Sequence, residues 1–305
     1  MKFSIFTDFH YNPIDFDPDP EAKLEKLREI QRRAERENVS FIIHAGDFCH
    51  DAPKRPELIE LYNNFHIPSY HCLGNHDTDK AKLADVMKCY KMESTQYYFD
   101  CEGYRFVIFD PNYSLINGEY IHFEMGNYFA TPDERDWIPP ENIEWMRKTI
   151  EASPYPCILI GHGSFERPDS VKNRKDVLQM IRSVNAKRKH SVLMVINGHL
   201  HRDHICILDG VCHFDLNSAA FDWVAQPHTY FPEQMRRKVQ CLDHLLIYND
   251  PIHAVITLEG TTITINGMES TFFMGIDRSF TKAPYYDRAG REAVPSIQSA
   301  KFTLL

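Results

Sequence analysis

The chain has 305 residues, 43% of them hydrophobic and 25% charged, with a formal net charge of -9. This is the composition of an ordinary globular protein with a sizeable core, in one large domain or one domain plus an appendage. No apolar run reaches membrane-spanning length, and the dispersed negative charge argues against a non-specific grip on nucleic acid or anionic membrane.

Residues 2–7 read as a strand, and Lys2 already opens it, so no targeting segment is expected. The stretch 12–20 is rich in Pro and Asp and reads as a loop. Leu24, Leu27 and Ile30 recur at helical spacing within 21–37, an amphipathic helix. A strand at 40–44, a helix holding Leu58, Ile59 and Leu61 behind Pro56, a strand at 67–72 and a helix at 79–88 come next. A hairpin spans 96–109 around Glu102-Gly103. Residues 111–138 read as a long aromatic loop, expected to pack down or to wall a cleft together with 221–235. The helix 140–152, the strand 157–161, the helix 173–187 and the strand 191–197 form a βαβ pattern. Beyond them lie hairpins around Asp209-Gly210 and Glu259-Gly260, an irregular aromatic stretch at 221–250, and an unassigned tail at 276–305. The basic run Met235–Lys238 reads as a solvated helix face. The architecture expected is two sheets with helices outside, parallel early and antiparallel late, an α/β chain tending to α+β in its late strands.

Eight cysteines, none in a CxxC pair and several in apolar strands, read as buried reduced thiols of a cytoplasmic protein.

Five apolar runs end alike. The strand before Leu73-Gly74 leads to Asn75, His76 and Asp77; the others lead to Asp8 and His10, to Gly46-Asp47, to Gly161-His162, and to Gly198-His199-Leu200-His201. Near-continuous apolar runs suit parallel strands buried on both faces, and parallel strands bring their carboxyl ends, where ligands bind, together. The convergent set mixes carboxylate, imidazole and one amide oxygen, a donor set for borderline-to-hard divalent metals such as Mn, Fe or Zn. So many ligands imply more than one ion, and paired ions are the usual device of phosphoester hydrolysis. His44 and His71 are expected to be packed rather than ligating. His50 either faces solvent or contacts a substrate phosphate.

In their order, Asp8-x-His10, Gly46-Asp47, Gly74-Asn75-His76-Asp77, Gly161-His162 and Gly198-His199-x-His201 resemble the five motifs of the calcineurin-like metallophosphoesterase superfamily. The resemblance implies a four-layer α-β-β-α sandwich of two mixed sheets. Residues 1–220 would form the catalytic core, and 221–305 an extension of the same domain whose hairpin completes the second sheet. It also implies two metal ions, one on Asp8, His10, Asp47 and His201 and one on Asp47, Asn75, His162 and His199. A hydroxide held by the ions would attack phosphorus. His76 would protonate the leaving group, with Asp77 orienting its ring. The motif around Asp47 departs from the Asp-Arg-Gly of serine/threonine protein phosphatases. The first motif departs from purple acid phosphatases. A small phosphoester, above all a phosphodiester such as a nucleotide derivative, is the expected substrate. A nuclease of the double-strand-break-repair kind and a catalytically lapsed metal-bound binding protein are the alternatives.

Overall fold

Runs of β-branched and aromatic residues pair into two six-stranded sheets in the computed structural model, which describes residues 1–224, 227–277 and 293–305. In chain order, β1 (Lys2–Phe6) leads through α1 (Pro20–Arg36) to β2 (Ile42–Ala45). α2 (Pro56–Asn63) then leads to β3 (Ser69–Cys72) and α3 (Leu83–Cys89). β4 (Tyr97–Cys101) and β5 (Tyr104–Ile108) pair antiparallel, as do β6 (Tyr113–Ile116) and β7 (Glu119–His122). α4 (Pro140–Glu151), β8 (Cys157–Ile160), α5 (Arg174–Lys187) and β9 (Val192–Asn197) follow. Next come β10 (His204–Leu208), β11 (Val211–Asp215), β12 (Phe221–Trp223), α6 (Glu233–Lys238) and β13 (Leu245–Ile247). The chain closes with β14 (Ala254–Glu259), β15 (Thr262–Asn266), β16 (Met268–Glu269), β17 (Ser296–Ile297) and β18 (Ala300–Thr303).

One sheet has the order β18-β15-β14-β1-β2-β3 and the other β10-β11-β9-β8-β5-β4. β1, β2 and β3 run parallel, as do β5, β8, β9 and β11, so the carboxyl ends of both sets face one edge of the sandwich. Phe3, Ile5, Phe41, Ile43, Phe106, Ile108, Ile158 and Ile196 fill the space between the sheets. Helices cover both outer faces. α1 is started by Asp19, whose side chain accepts from the Ala22 amide, and by Pro20 at the first turn. It buries Leu24, Leu27, Ile30 and Ala34 against the first sheet, while Met146, Ile150, Val177, Ile181 and Val184 of α4 and α5 cover the second. The result is a four-layer α-β-β-α sandwich.

Three local expectations are corrected. The hairpin of β14 and β15 joins the first sheet beside β1, rather than completing the second. There its apolar alternation meets β1 side chains already facing the core. The helix expected from 79 begins at Leu83, because Asp79–Lys82 turn back toward the site. The stretch 111–138 is not a bare loop but holds the β6–β7 hairpin. Much of the tail 276–305 lies outside the described residues, and its end forms the edge strand β18. α6 buries none of its residues, which leaves its basic face in solvent. Cys49, Cys72, Cys157 and Cys212 are buried, and the other four cysteines are partly exposed.

Candidate active site

The five motif loops leave the carboxyl ends of β1, β2, β3, β8 and β9 and meet at one edge. Their backbone is unusual. Asp8, His10, Asp47, His199 and His201 all have φ between 45° and 69°. Such left-handed conformations cost non-glycine residues free energy, and persist where surrounding structure over-determines them. Close approach explains two glycines. A Cβ on Gly74 would collide with the Asp47 carboxylate and amide, and one on Gly198 with Thr7 Oγ1 and Asp8 Oδ2.

Asp8, His10 and His201 form one group, and Asp47, His162 and His199 a second. His10 Nε2 stands 3.0 Å from His201 Nε2, and Asp8 Oδ1 lies 3.2 Å from His201 Nε2 and 3.6 Å from His10 Nε2. Asp47 Oδ2 lies between the groups, 3.0 Å from His162 Nε2 and 3.8 Å from His10 Nε2. His199 Nδ1 and Asn75 Oδ1 are 2.9 Å apart.

Outer partners aim these ligands. His162 Nδ1 donates to Ala45 O and His201 Nδ1 to Phe221 O, turning each Nε2 inward. Asp8 Oδ2 accepts from Thr7 Oγ1 and the His199 amide, which leaves Oδ1 for the cluster. His10 Nδ1 meets His50 Nε2 at 2.8 Å, and His50 Nδ1 meets Asp79 Oδ2 at 2.9 Å. A carboxylate only accepts, so His50 carries its proton on Nδ1 and accepts from His10 on Nε2. His10 Nε2, which then carries a lone pair, faces His201 Nε2 across 3.0 Å. Asp8 Oδ1, His162 Nε2 and Asn75 Nδ2 are likewise buried without a hydrogen-bond partner. A buried carboxylate oxygen with nothing to accept, on which imidazole nitrogens converge, is costly and fits a cation. The donor set therefore fits divalent metal ions.

Charge distributes to match. Burial opposes ionisation of Asp8 and Asp47, but the surrounding histidines win and hold both carboxyls below their ordinary value. Burial lowers His10 and His199 to about 3, so both are neutral, the ligating form. At His162 burial is outweighed by Asp47 and Asp8, which raise it to about 10. A bound cation in the cluster would drive that proton off.

His76 sits at the rim. Its Nδ1 is 2.7 Å from Asp79 Oδ2, and its amide donates to Asp47 Oδ1. Burial lowers its pKa, but Asp47 and Asp79 prevail and raise it to about 9. Tyr128 and Phe129, in the segment 111–138, pack beside its ring at 5.8 and 5.7 Å.

Two sequence expectations are corrected here. Asp77 does not orient His76. It lies under the loop and accepts from the amides of Asp47, Phe48, Cys49 and Gly74 and from Tyr90 Oη. Asp79 is the residue on the His76 ring, and sequence reasoning missed it; the legible signal was an acid three positions after the histidine. His50 is only 2% exposed and has both ring nitrogens engaged by His10 and Asp79, which leaves none for a substrate. His44 and His71 are packed against each other at 2.7 Å, away from the cluster. Phe221, which stacks on His10 at 5.0 Å, and the half-exposed Trp223 carried no recognisable signal.

A fold of this kind, with carboxylates, imidazoles and an amide oxygen at the convergent strand ends, is that of the metallophosphoesterase class. The family model for calcineurin-like phosphoesterases matches residues 1–203, and the chain belongs to that family. Among solved structures, a dimetal phosphatase from Danio rerio is similar at 14% identity and a TM-score of 0.61, over 90% of this chain and 99% of that one. GAP50, the anchor in the inner membrane complex of Plasmodium, is similar at 11% identity and a TM-score of 0.52, over 100% of this chain and 89% of that one. At such identities the likeness is one of fold. No curated protein matches. Among the described residues no helix is long and apolar enough to cross a membrane.

Proposed function

We propose that this chain hydrolyses a small phosphodiester, such as a nucleotide derivative, with two divalent ions of the Mn, Fe or Zn class. One observation carries the reading: the Nε2 atoms of His10 and His201 converge on the orphaned Asp8 Oδ1, while the Asp47 carboxylate reaches both ligand groups. Asp8, His10, Asp47 and His201 would hold one ion, and Asp47, Asn75, His162 and His199 the other. When bound, such ions neutralise phosphoryl charge and bring the pKa of a water toward neutrality.

The chain's own residues supply the remaining chemistry. Asp79 accepts from His76 Nδ1 and fixes the ring, which leaves Nε2 to give its proton to the leaving oxygen as general acid. The His50 ring ties His10 to the same carboxylate, so the acid and one ligand share a support. Phe129, beside His76, and Trp223, 6.5 Å from His201, are both well exposed and offer flat faces to a planar substrate group such as a nucleobase. That supports a nucleotide-like diester over a bare monoester.

The test is hydrolysis of bis-p-nitrophenyl phosphate against p-nitrophenyl phosphate by metal-stripped, Mn-reconstituted protein. Diester turnover, lost in H76A with both ions retained, is expected. Turnover of the monoester alone overturns the diester assignment. No turnover of either, with two ions bound, overturns the enzyme reading in favour of a lapsed binding protein.

A further inference from the structure

We propose a third cation site, for a thiophilic divalent ion such as zinc, on the outer face of the β10–β11 hairpin. Its ligands are His204, Cys206 and Glu166, with the Asp215 carboxylate beside His204. None of them belongs to the five motifs; the ion count in the test rests on the two-ion reading given above, whereas the thiolate band does not.

The hairpin register creates the site. In β10 and β11, His204 lies directly opposite Asp215, and Cys206 opposite His213. Residues two apart on a strand share a face, as do directly opposed residues of an antiparallel pair. His204, Cys206, Asp215 and His213 therefore project together, while Phe214 and Cys212 point into the core between the sheets. Glu166 approaches this face from the loop after β8. Arg174, at the start of α5, holds that loop by donating to the carbonyls of Phe165 and Glu166.

Ligand atoms of Glu166, His204 and Cys206 lie within 4.8 Å of one another. His204 Nδ1 is 3.6 Å from Glu166 Oε2 and 3.8 Å from Asp215 Oδ2. Both distances are too long for hydrogen bonds. The first matches the edge of a tetrahedral site, since ligands at about 2.0–2.3 Å from zinc stand roughly 3.3–3.7 Å apart; the second is longer and places Asp215 next to the ion's ligands.

The second observation is Asp215 itself. It is 1% exposed, and neither carboxylate oxygen has a hydrogen-bond partner; Glu166 Oε2 is buried and orphaned in the same way. Buried carboxylate oxygens with nothing to accept are expensive, and a cation among them removes that cost. A thiol beside an imidazole selects a borderline or soft ion over Mg or Mn. Binding releases the Cys206 thiol proton to solvent and leaves His204 neutral, so the step is coordination with no redox change. The partial exposure of His204, Cys206 and Glu166 provides an entry path. A bound ion would pin the hairpin to the loop that leaves His162.

Cobalt distinguishes this site from the motif cluster, because only this site offers a thiolate. The intact chain saturated with Co2+ is expected to bind three ions and to show a near-ultraviolet thiolate-to-cobalt absorption. C206S is expected to lose the band and bind two ions, with phosphoester turnover unchanged. H204A is expected to raise the cobalt concentration at half-maximal band at least tenfold, and it serves as the decisive variant should C206S fail to fold. A saturated intact chain without the band, a band of full strength in C206S, or an unshifted titration in H204A overturns the proposal.

Discussion

Asp77→Asn separates a clasp beneath the site from a part in the chemistry. Asp77 Oδ1 accepts from the Phe48 and Cys49 amides and Tyr90 Oη, and Oδ2 accepts from the Asp47 and Gly74 amides, all at 2.7–3.0 Å. Asparagine keeps one oxygen and turns an NH2 toward the other donors. In either orientation at least two buried donors lose their acceptor. Each such loss costs about 1–3 kcal/mol, so the substitution is expected to destabilise the fold by roughly 2–6 kcal/mol. The clasp also holds the Asp47 backbone, so metal affinity falls with it. The assay is guanidinium unfolding of wild type and D77N, both in chelator so that metal loss does not enter the comparison. A midpoint difference worth less than about 0.5 kcal/mol, the size of an ordinary surface substitution, would refute the clasp.

Asp79→Asn is expected to do the reverse, lowering kcat by about 10–100-fold through a loosened His76 ring while leaving the chelated protein's unfolding midpoint near that of wild type; steady-state kinetics on a chromogenic diester checks it. Gly198→Ala forces a methyl group into Thr7 Oγ1 and Asp8 Oδ2 and is expected to cost about 1–3 kcal/mol and to lower bound metal per chain, as read by elemental analysis. The buried pair His122–Asp110, 2.8 Å apart, gives a pH dependence. Burial works to lower the His122 pKa, but Asp110 prevails and raises it above the ordinary 6.5. A raised folded pKa contributes stability that is complete below the unfolded value and is lost as pH rises through the folded one. The stability gap between wild type and H122Q is therefore expected to shrink as pH rises above the ordinary histidine value and through the raised folded one, and a gap that stays constant as pH rises contradicts the assignment.

The linear chain carried a good deal of this. Buried parallel strands need uninterrupted apolar runs, and each run here ends on a chemically distinctive residue, so β1, β2, β3, β8 and β9 and the polar groups at their ends were legible together. Periodicity exposed α1, α4 and α5, because each buries one stripe against a sheet and leaves the rest in water. The partners of β14 and β15 were not legible, since strand pairing is a choice among distant segments that local pattern does not encode. Nor were the separate tasks of Asp77 and Asp79. Two acids in one short loop are interchangeable in sequence, and the turn at 75–78 with the bend after it decides that one faces backbone amides and the other an imidazole. His50 shows the same limit, for its burial between His10 and Asp79 depends on β1, β2 and β3 arriving side by side. Residue types and their order determined the class of chemistry. Only the tertiary structure decided which atoms oppose one another, because a ligand's direction is fixed by the partner on its far side, and those partners lie on other strands.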